Sequence, residues 1–229
     1  MQTFFSEITA LCRNEQFLHS VMEKYHYDPE EYPNLKRLAG EMIPCLETEA
    51  GWQDREIKET FPGRDQSFLA VGITLGKGID ALQEKYLQNG FLTESYMIEV
   101  LSSELLLKSY RAYTEWVVVH RNLHVARLHF LGGGEISETS ESQIGSLLRL
   151  ANLPMLLQEL ALPVTCNTAY CMIPKKSVVF YAELTKDPFT KCAGICLGCG
   201  RRDCPNRPNR PLSYGYARIF SKSTDENGR

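Results

Sequence analysis

The chain has 229 residues, a mass of 26.1 kDa, a formal net charge of −3 and a pI near 6.0. That length suits one domain with a core of useful size. With 43% apolar and 23% charged residues, it excludes wholesale disorder and fibrous classes. The mild acidity argues against a general nucleic-acid binder, which needs a broad basic surface. No run of about 18 apolar residues occurs, so no membrane-spanning helix is expected. Glu7, Arg13 and Glu15 interrupt any signal-like start, which places the chain in the cytosol.

Residues 1–60 carry 12 Asp/Glu against 6 Lys/Arg and read as an acidic, helical N-terminal segment. Ile8, Leu11, Cys12, Phe17, Leu18 and Val21 have approximate helical spacing, predicting one helix from Ser6, as its N-cap, to Lys24. It ends before Tyr27-Asp28-Pro29, because the residue before a proline is pushed out of the α region. A second helix is expected over Leu35 to Thr48, broken at Pro44.

A turn at Phe61-Pro62-Gly63 opens an α+β core that runs to about residue 186. Ser67 to Leu75 reads as a short buried strand, and Ile79 to Gln88 as a helix stopped by Asn89-Gly90. Thr93 to Val119 is the longest helical pattern, with Met97, Val100, Leu101, Leu105, Leu107 and Tyr110 forming a stripe suited to lying across a sheet. His124 to Leu131 is a strand, Ser140 to Leu150 and Pro154 to Leu160 are helices, and Leu162 to Asn167 and Ser177 to Leu184 are strands around the loop Thr168 to Lys176. The strands and helices come in mixed order, which gives a single α+β domain.

From about residue 187 the composition changes, and four of the eight cysteines fall in Cys192-x3-Cys196-x2-Cys199-x4-Cys204-Pro205. Thiolates bind soft or borderline metals, and four of them complete a tetrahedral shell or ligate a cubane. The compact block and the proline after the last cysteine favour a [4Fe–4S] cluster; structural zinc and no metal remain as alternatives. Arg201, Arg202, Arg207 and Arg210 balance an anionic thiolate centre or guide an anionic partner. A short terminal strand is expected over Tyr214 to Phe220.

Other signals are weaker. Gly72-x3-Gly76-Lys77-Gly78 is one residue short of a phosphate loop and lacks its Ser/Thr. His120, His124 and His129 do not share a helix face, so ordinary packing is expected of them. No nucleophile elbow or HExxH motif appears.

Four segments in order carry a resemblance: Phe68 to Asp80 (FLAVGITLGKGID), the helix LTESYMIEVLSSELLLKSY, Arg127 to Gly134 followed by Gln143, and LPVTCNTAYCMIPKKSVV with its Tyr-x-Met-x-Pro and Ser-Val pattern. Together they resemble the activation domain of cobalamin-dependent methionine synthase, in a shorter stand-alone form. The resemblance implies a twisted antiparallel sheet flanked by helices, an S-adenosylmethionine groove on that sheet, and capping of a cobalamin-bearing module. It implies reductive reactivation: one electron and a methyl group from S-adenosylmethionine restore methylcobalamin. The cobalamin-binding domains lie outside the matched stretch, so the corrinoid would be carried by a separate partner protein.

By position, Arg127 would anchor the ligand carboxylate, since its fork suits one. Gly132 and Gly133 would let backbone approach the ligand. Tyr170 and Met172 would shape the groove, and Pro174 and Ser177 would set the loop. Where the family has a Gly-Tyr pair after the arginine, this chain has Gly132-Gly133-Gly134 and no tyrosine. Neither a nucleic acid nor a membrane is expected as partner. A docking module with structural zinc and an iron–sulfur electron carrier are the competing functions.

Overall fold

In the computed structural model, residues 2–56, 67–132, 146–190 and 192 are described. Their helices are α1 (Gln2–Leu11), α2 (Glu15–Lys24), α3 (Tyr32–Met42), α4 (Lys77–Gln88), α5 (Leu92–Arg121) and α6 (Leu153–Glu159). The strands are β1 (Glu49–Glu56), β2 (Ser67–Thr74), β3 (His124–Phe130), β4 (Thr165–Cys166), β5 (Met172–Ile173) and β6 (Ser177–Thr185). The turn at Phe61-Pro62-Gly63 and the expected start at Ser140 lie outside the described residues.

The N-terminal pattern makes two helices where one was expected, and Ser6 lies inside the first rather than capping it. The break is local chemistry. The Asn14 side chain accepts the Phe17 N–H at 2.8 Å and starts α2 afresh. The next helix is α3, which begins at Tyr32 and stops at Met42; a 3₁₀ turn over Ile43–Cys45 carries Pro44.

Residues 49–56, expected to belong to the helical segment, form β1 at the edge of the main sheet. Only Ala50 and Trp52 of this strand pack into the core beneath it, while Gln53, Asp54, Arg55 and Glu56 give no apolar alternation. Charged residues on an edge strand also discourage pairing with other chains.

The main sheet is a twisted antiparallel one in the order β1-β2-β6-β3, so the fold is α+β with helices on both faces. The sequence predicts strands over Leu162 to Asn167 and Ser177 to Leu184, around the loop Thr168 to Lys176. Instead the first shortens to β4 and pairs with β5 inside that loop, while β6 enters the main sheet between β2 and β3.

Helix α5 is about 45 Å long at 1.5 Å per residue and serves two cores. Its first half, with Met97, Ile98, Val100, Leu101 and Leu105, packs against α1 to α4 rather than against the sheet. Its second half, with Tyr110, Tyr113 and Val117, covers the sheet over Leu69, Val71, Ile73, Val125, Leu128 and Phe180. The helix ends at Asn122 in the left-handed region (φ +51), a common helix stop. In the helical half, the buried Glu104 accepts from Lys24 Nζ at 2.6 Å and from the Tyr25 hydroxyl at 2.9 Å, tying α2 to α5. Burial first, and then the Glu104 carboxylate, push the Tyr25 hydroxyl pKa up.

The opposite face of the sheet is covered by α6 and its flanks. Leu153, Leu156, Leu157, Leu160 and Val164 pack on Phe68, Ala70, Val179 and Tyr181. Gly51 and Gly72, paired across β1 and β2, leave room there for the Leu160 backbone and the Leu162 side chain. Among the described residues, no helix is long and apolar enough to cross a membrane.

Candidate functional site

Local hydrogen bonds shape the Thr168–Lys176 segment into a tight hairpin. Asn167 starts it: its side-chain oxygen accepts the N–H groups of Ala169 (2.9 Å) and Cys171 (3.0 Å), an Asx turn. The Asn167 N–H donates to the Cys171 carbonyl at 3.1 Å, and the Tyr170 N–H to the Asn167 carbonyl at 3.0 Å. These bonds hold Tyr170 in the left-handed region (φ +59), which costs a non-glycine residue about 1–2 kcal/mol. The result is a lip. Tyr170 is exposed in its turn and Ile173 on its return strand, while Met172 faces the α6 layer and packs against it.

The base of the lip is strapped to two helices. The peptide bond before Pro174 is cis. The Lys175 N–H donates to Asp80 of α4 at 2.8 Å. Lys176 is buried; its ammonium pairs with Glu99 and donates to Ser103 at 2.9 Å, both on α5. Burial opposes the Glu99 charge, but the hydrogen bond and charge of Lys176, helped by Gln83, outweigh it and hold that carboxyl below the usual carboxylate range. Ser177 is buried too. Its hydroxyl lies 2.8 Å from that of Thr74, which also accepts the Gly76 N–H at 3.1 Å. Pro174 and Ser177 therefore stand where the lip joins the sheet, and the turn into α4 is bonded to the same point.

Arg127 stands at the other end. The register of β3 slips between Val125 and Arg127, a β-bulge that sets Arg127 directly opposite Glu183. The two share the α6 side of the sheet with His129, whose Nε2 lies 3.1 Å from a Glu183 oxygen and whose ring stands 6.0 Å from Phe68. Arg55 of β1 pairs with Glu159 of α6 nearby in the same layer. This end of the sheet thus carries a band of opposite charges, chemistry that suits the carboxylate and ammonium of an amino-acid group.

The structure does not bring all these residues together. Arg127 faces Glu183, six positions along β6 from Ser177, so about 20 Å at roughly 3.4 Å per residue separates Arg127 from the base of the lip. Gly132 (φ +68) needs to be glycine, but for packing. Its N–H donates to the Leu148 carbonyl at 3.0 Å, and a Cβ there would come within 2.8 Å of the Leu150 side chain. The space expected for a ligand at Gly132 is filled by Leu150.

Gly133, Gln143, Cys196, Cys199 and Cys204 lie outside the described residues, as do the four arginines around the cysteine block and the expected strand Tyr214 to Phe220. Cys192 is half-buried and packs on the core between α5 and the sheet. Among the described residues no three His, Cys, Asp or Glu side chains gather as a metal site. His120 stacks on Trp116 and its Nδ1 lies 2.9 Å from the Trp116 carbonyl, which is ordinary packing.

Sequence reasoning missed the His129–Glu183 pair and the Lys176 strap. The first depends on a bulge that no local pattern announces, and the second joins residues 77 positions apart. No family model matches this sequence, and no curated protein matches it.

Proposed function

We propose that this chain reactivates a corrinoid carried by a separate protein, with S-adenosylmethionine as methyl donor and a one-electron iron–sulfur centre at Cys192, Cys196, Cys199 and Cys204 as the local electron donor. The observation that carries this reading is the strapped lip. The segment most like the methionine synthase activation domain forms a hydrogen-bonded hairpin that presents Tyr170 and Ile173 outward and is braced by Asp80, Glu99 and Ser103. A flat, partly apolar cofactor face is a fitting target for such a lip. Arg127, paired across the strands with Glu183, supplies charges that suit the amino-acid end of the donor. S-Adenosylmethionine supplies the methyl group when bound; the protein's share is binding and orientation.

A second reading is favoured by one observation. Arg127 and the lip are about 20 Å apart along β6, so a lip that docks a corrinoid protein need not share a pocket with a bound donor. On that reading the chain is a docking module with a structural zinc and no methyl transfer.

Calorimetry separates the two. The full chain is titrated with S-adenosylmethionine, and then with the cobalamin-bearing module of a methionine synthase. Reactivation predicts heat from both, with Arg127→Ala abolishing the first and leaving the second. Docking alone predicts only the second. Heat from neither ends both readings.

A further inference from the structure

We propose that Glu183, held in place by His129, recognises the α-ammonium group of the donor and makes the charged end of the sheet selective for amino acids over plain carboxylic acids. This rests on the reading that Arg127 takes the donor's carboxylate, and it adds what takes the opposite charge.

An α-amino acid carries its carboxylate and its ammonium on one carbon, so its receptor needs a cation and an anion side by side. The strand register supplies them. Arg127 of β3 and Glu183 of β6 are direct cross-strand neighbours. In such a pair the Cβ atoms stand about 4.5–5.5 Å apart. Across the other side of Glu183 the neighbour is Phe68 of β2, which is buried. Glu183 thus has an apolar ring on one flank and Arg127 on the other. Its side chain is 19% exposed, which weakens screening by water and still leaves a way in for a ligand. The other acid of the band is differently placed. Glu159 of α6 pairs with Arg55 of β1, at the opposite edge of the sheet, with Tyr181 beside them.

His129 fixes Glu183. It lies diagonally from it, opposite Tyr181 on β6, and its Nε2 is 3.1 Å from a Glu183 oxygen. An ionised carboxylate only accepts, so that nitrogen carries the hydrogen and donates it. The His129 side chain is 12% exposed and its ring stands 6.0 Å from that of Phe68, so it has little room to turn. A carboxylate offers about four acceptor sites. The bond from His129 occupies one of them and orients the rest. His129 acts on the ligand through Glu183 and is a positioning residue.

The test compares two ligands on the full chain by calorimetry: S-adenosylmethionine, and its analogue without the α-amino group. The parent should bind the first about ten- to a hundredfold more tightly, the worth of a hydrogen bond to a charged group. Glu183→Gln keeps the size of the side chain and loses its charge. It should bind the two ligands alike, with undiminished affinity for the amino-free analogue, which also shows that the variant is folded. His129→Ala should lose most of the preference. His129→Gln can still donate an N–H to Glu183 and should recover part of it. A histidine that only braced the sheet would lower binding of both ligands together and leave the preference intact.

Equal binding of the two ligands by the parent overturns the proposal and leaves Arg127 and the donor reading standing. A preference that survives in Glu183→Gln does the same. Loss of both ligands in Glu183→Gln at an unchanged urea midpoint also overturns it, because Glu183 then serves to hold Arg127. A preference that disappears in Glu183→Gln and persists in His129→Ala removes His129 from the assignment. No binding of S-adenosylmethionine by the parent removes the donor reading, and this inference with it.

Discussion

The two faces of the main sheet are built from different materials. On the α5 face, aromatic rings dominate: Tyr110 and Tyr113 meet Phe180 edge-on at 5.8 and 5.7 Å, and Trp116 stacks on Tyr113. On the α6 face the contacts are leucines over two glycines, ending in the band of Arg55, Glu159, His129, Glu183 and Arg127. One strand, β6, supplies both by alternation: Phe180 points to one side and Tyr181 to the other. The lesson is a division of labour. A face closed by interlocking rings holds the sheet rigid, and the opposite face is then free to carry charges and the lip at its two ends.

The largest effect should come from breaking the closed face. Phe180 is fully buried and touches three other rings. Phe180→Ala should cost about 3–5 kcal/mol, read as a lower urea midpoint, because it removes a buried ring and leaves a cavity among the rings around it. A loss well under that range would mean that the rings are not the source of rigidity.

Next comes the α6 face. Gly51 lies under the Leu160 carbonyl, which a Cβ would strike. A backbone atom cannot rotate aside, so Gly51→Ala should cost about 1–3 kcal/mol in the same assay. If the variant is as stable as the parent, α6 rests loosely on the sheet and the two faces differ more than their packing suggests.

How much of this was legible beforehand follows the same division. Strands β2 and β6 are continuous apolar runs, α4 has a clear stop signal and α5 a long apolar stripe, so their places could be read within a few residues. Strand β1 could not be, because an edge strand with one buried side and charged residues has neither the alternation nor the run. Nor could the role of α5 be assigned. Its apolar stripe is real, but only tertiary packing decides that Met97 to Leu105 meet helices and Tyr110 to Val117 meet the sheet. At the candidate site, the Tyr170 to Ser177 segment stood out through its residue types. Its strap to Asp80 and Glu99 did not, because hydrogen bonds and ion pairs between distant residues leave no local trace.

A smaller effect tests that strap. The Glu99 carboxyl is held below its ordinary value by Lys176, so its contribution to stability is present above the unfolded carboxylate value, about 4.3, and is lost as the pH falls through the lower folded value. Glu99→Gln should be less stable than the parent at neutral pH, and the gap should close in acid. Urea midpoints for both proteins between neutral pH and pH ~3 give the answer. Glu99 is partly exposed, so the gap should be modest. A gap that stays constant with pH would assign the strap to hydrogen bonding rather than charge.

The smallest effect on stability falls on the residue with the largest expected effect on binding. Arg127 is exposed on an edge strand, beside a bulge, where substitutions ordinarily change stability by about 0.5 kcal/mol or less. Arg127→Ala should therefore keep the parent's urea midpoint, yet lose the heat of S-adenosylmethionine binding. Arg127→Lys sharpens the point. It keeps the charge but not the two-pronged fork, so a carboxylate held by both prongs should bind much more weakly to it than to the parent. If the lysine variant binds as well as the parent, the band attracts the ligand only as a point charge. A midpoint that falls together with binding would make Arg127 a structural brace of β3, and the charged end would then differ from the closed face only in what it is made of.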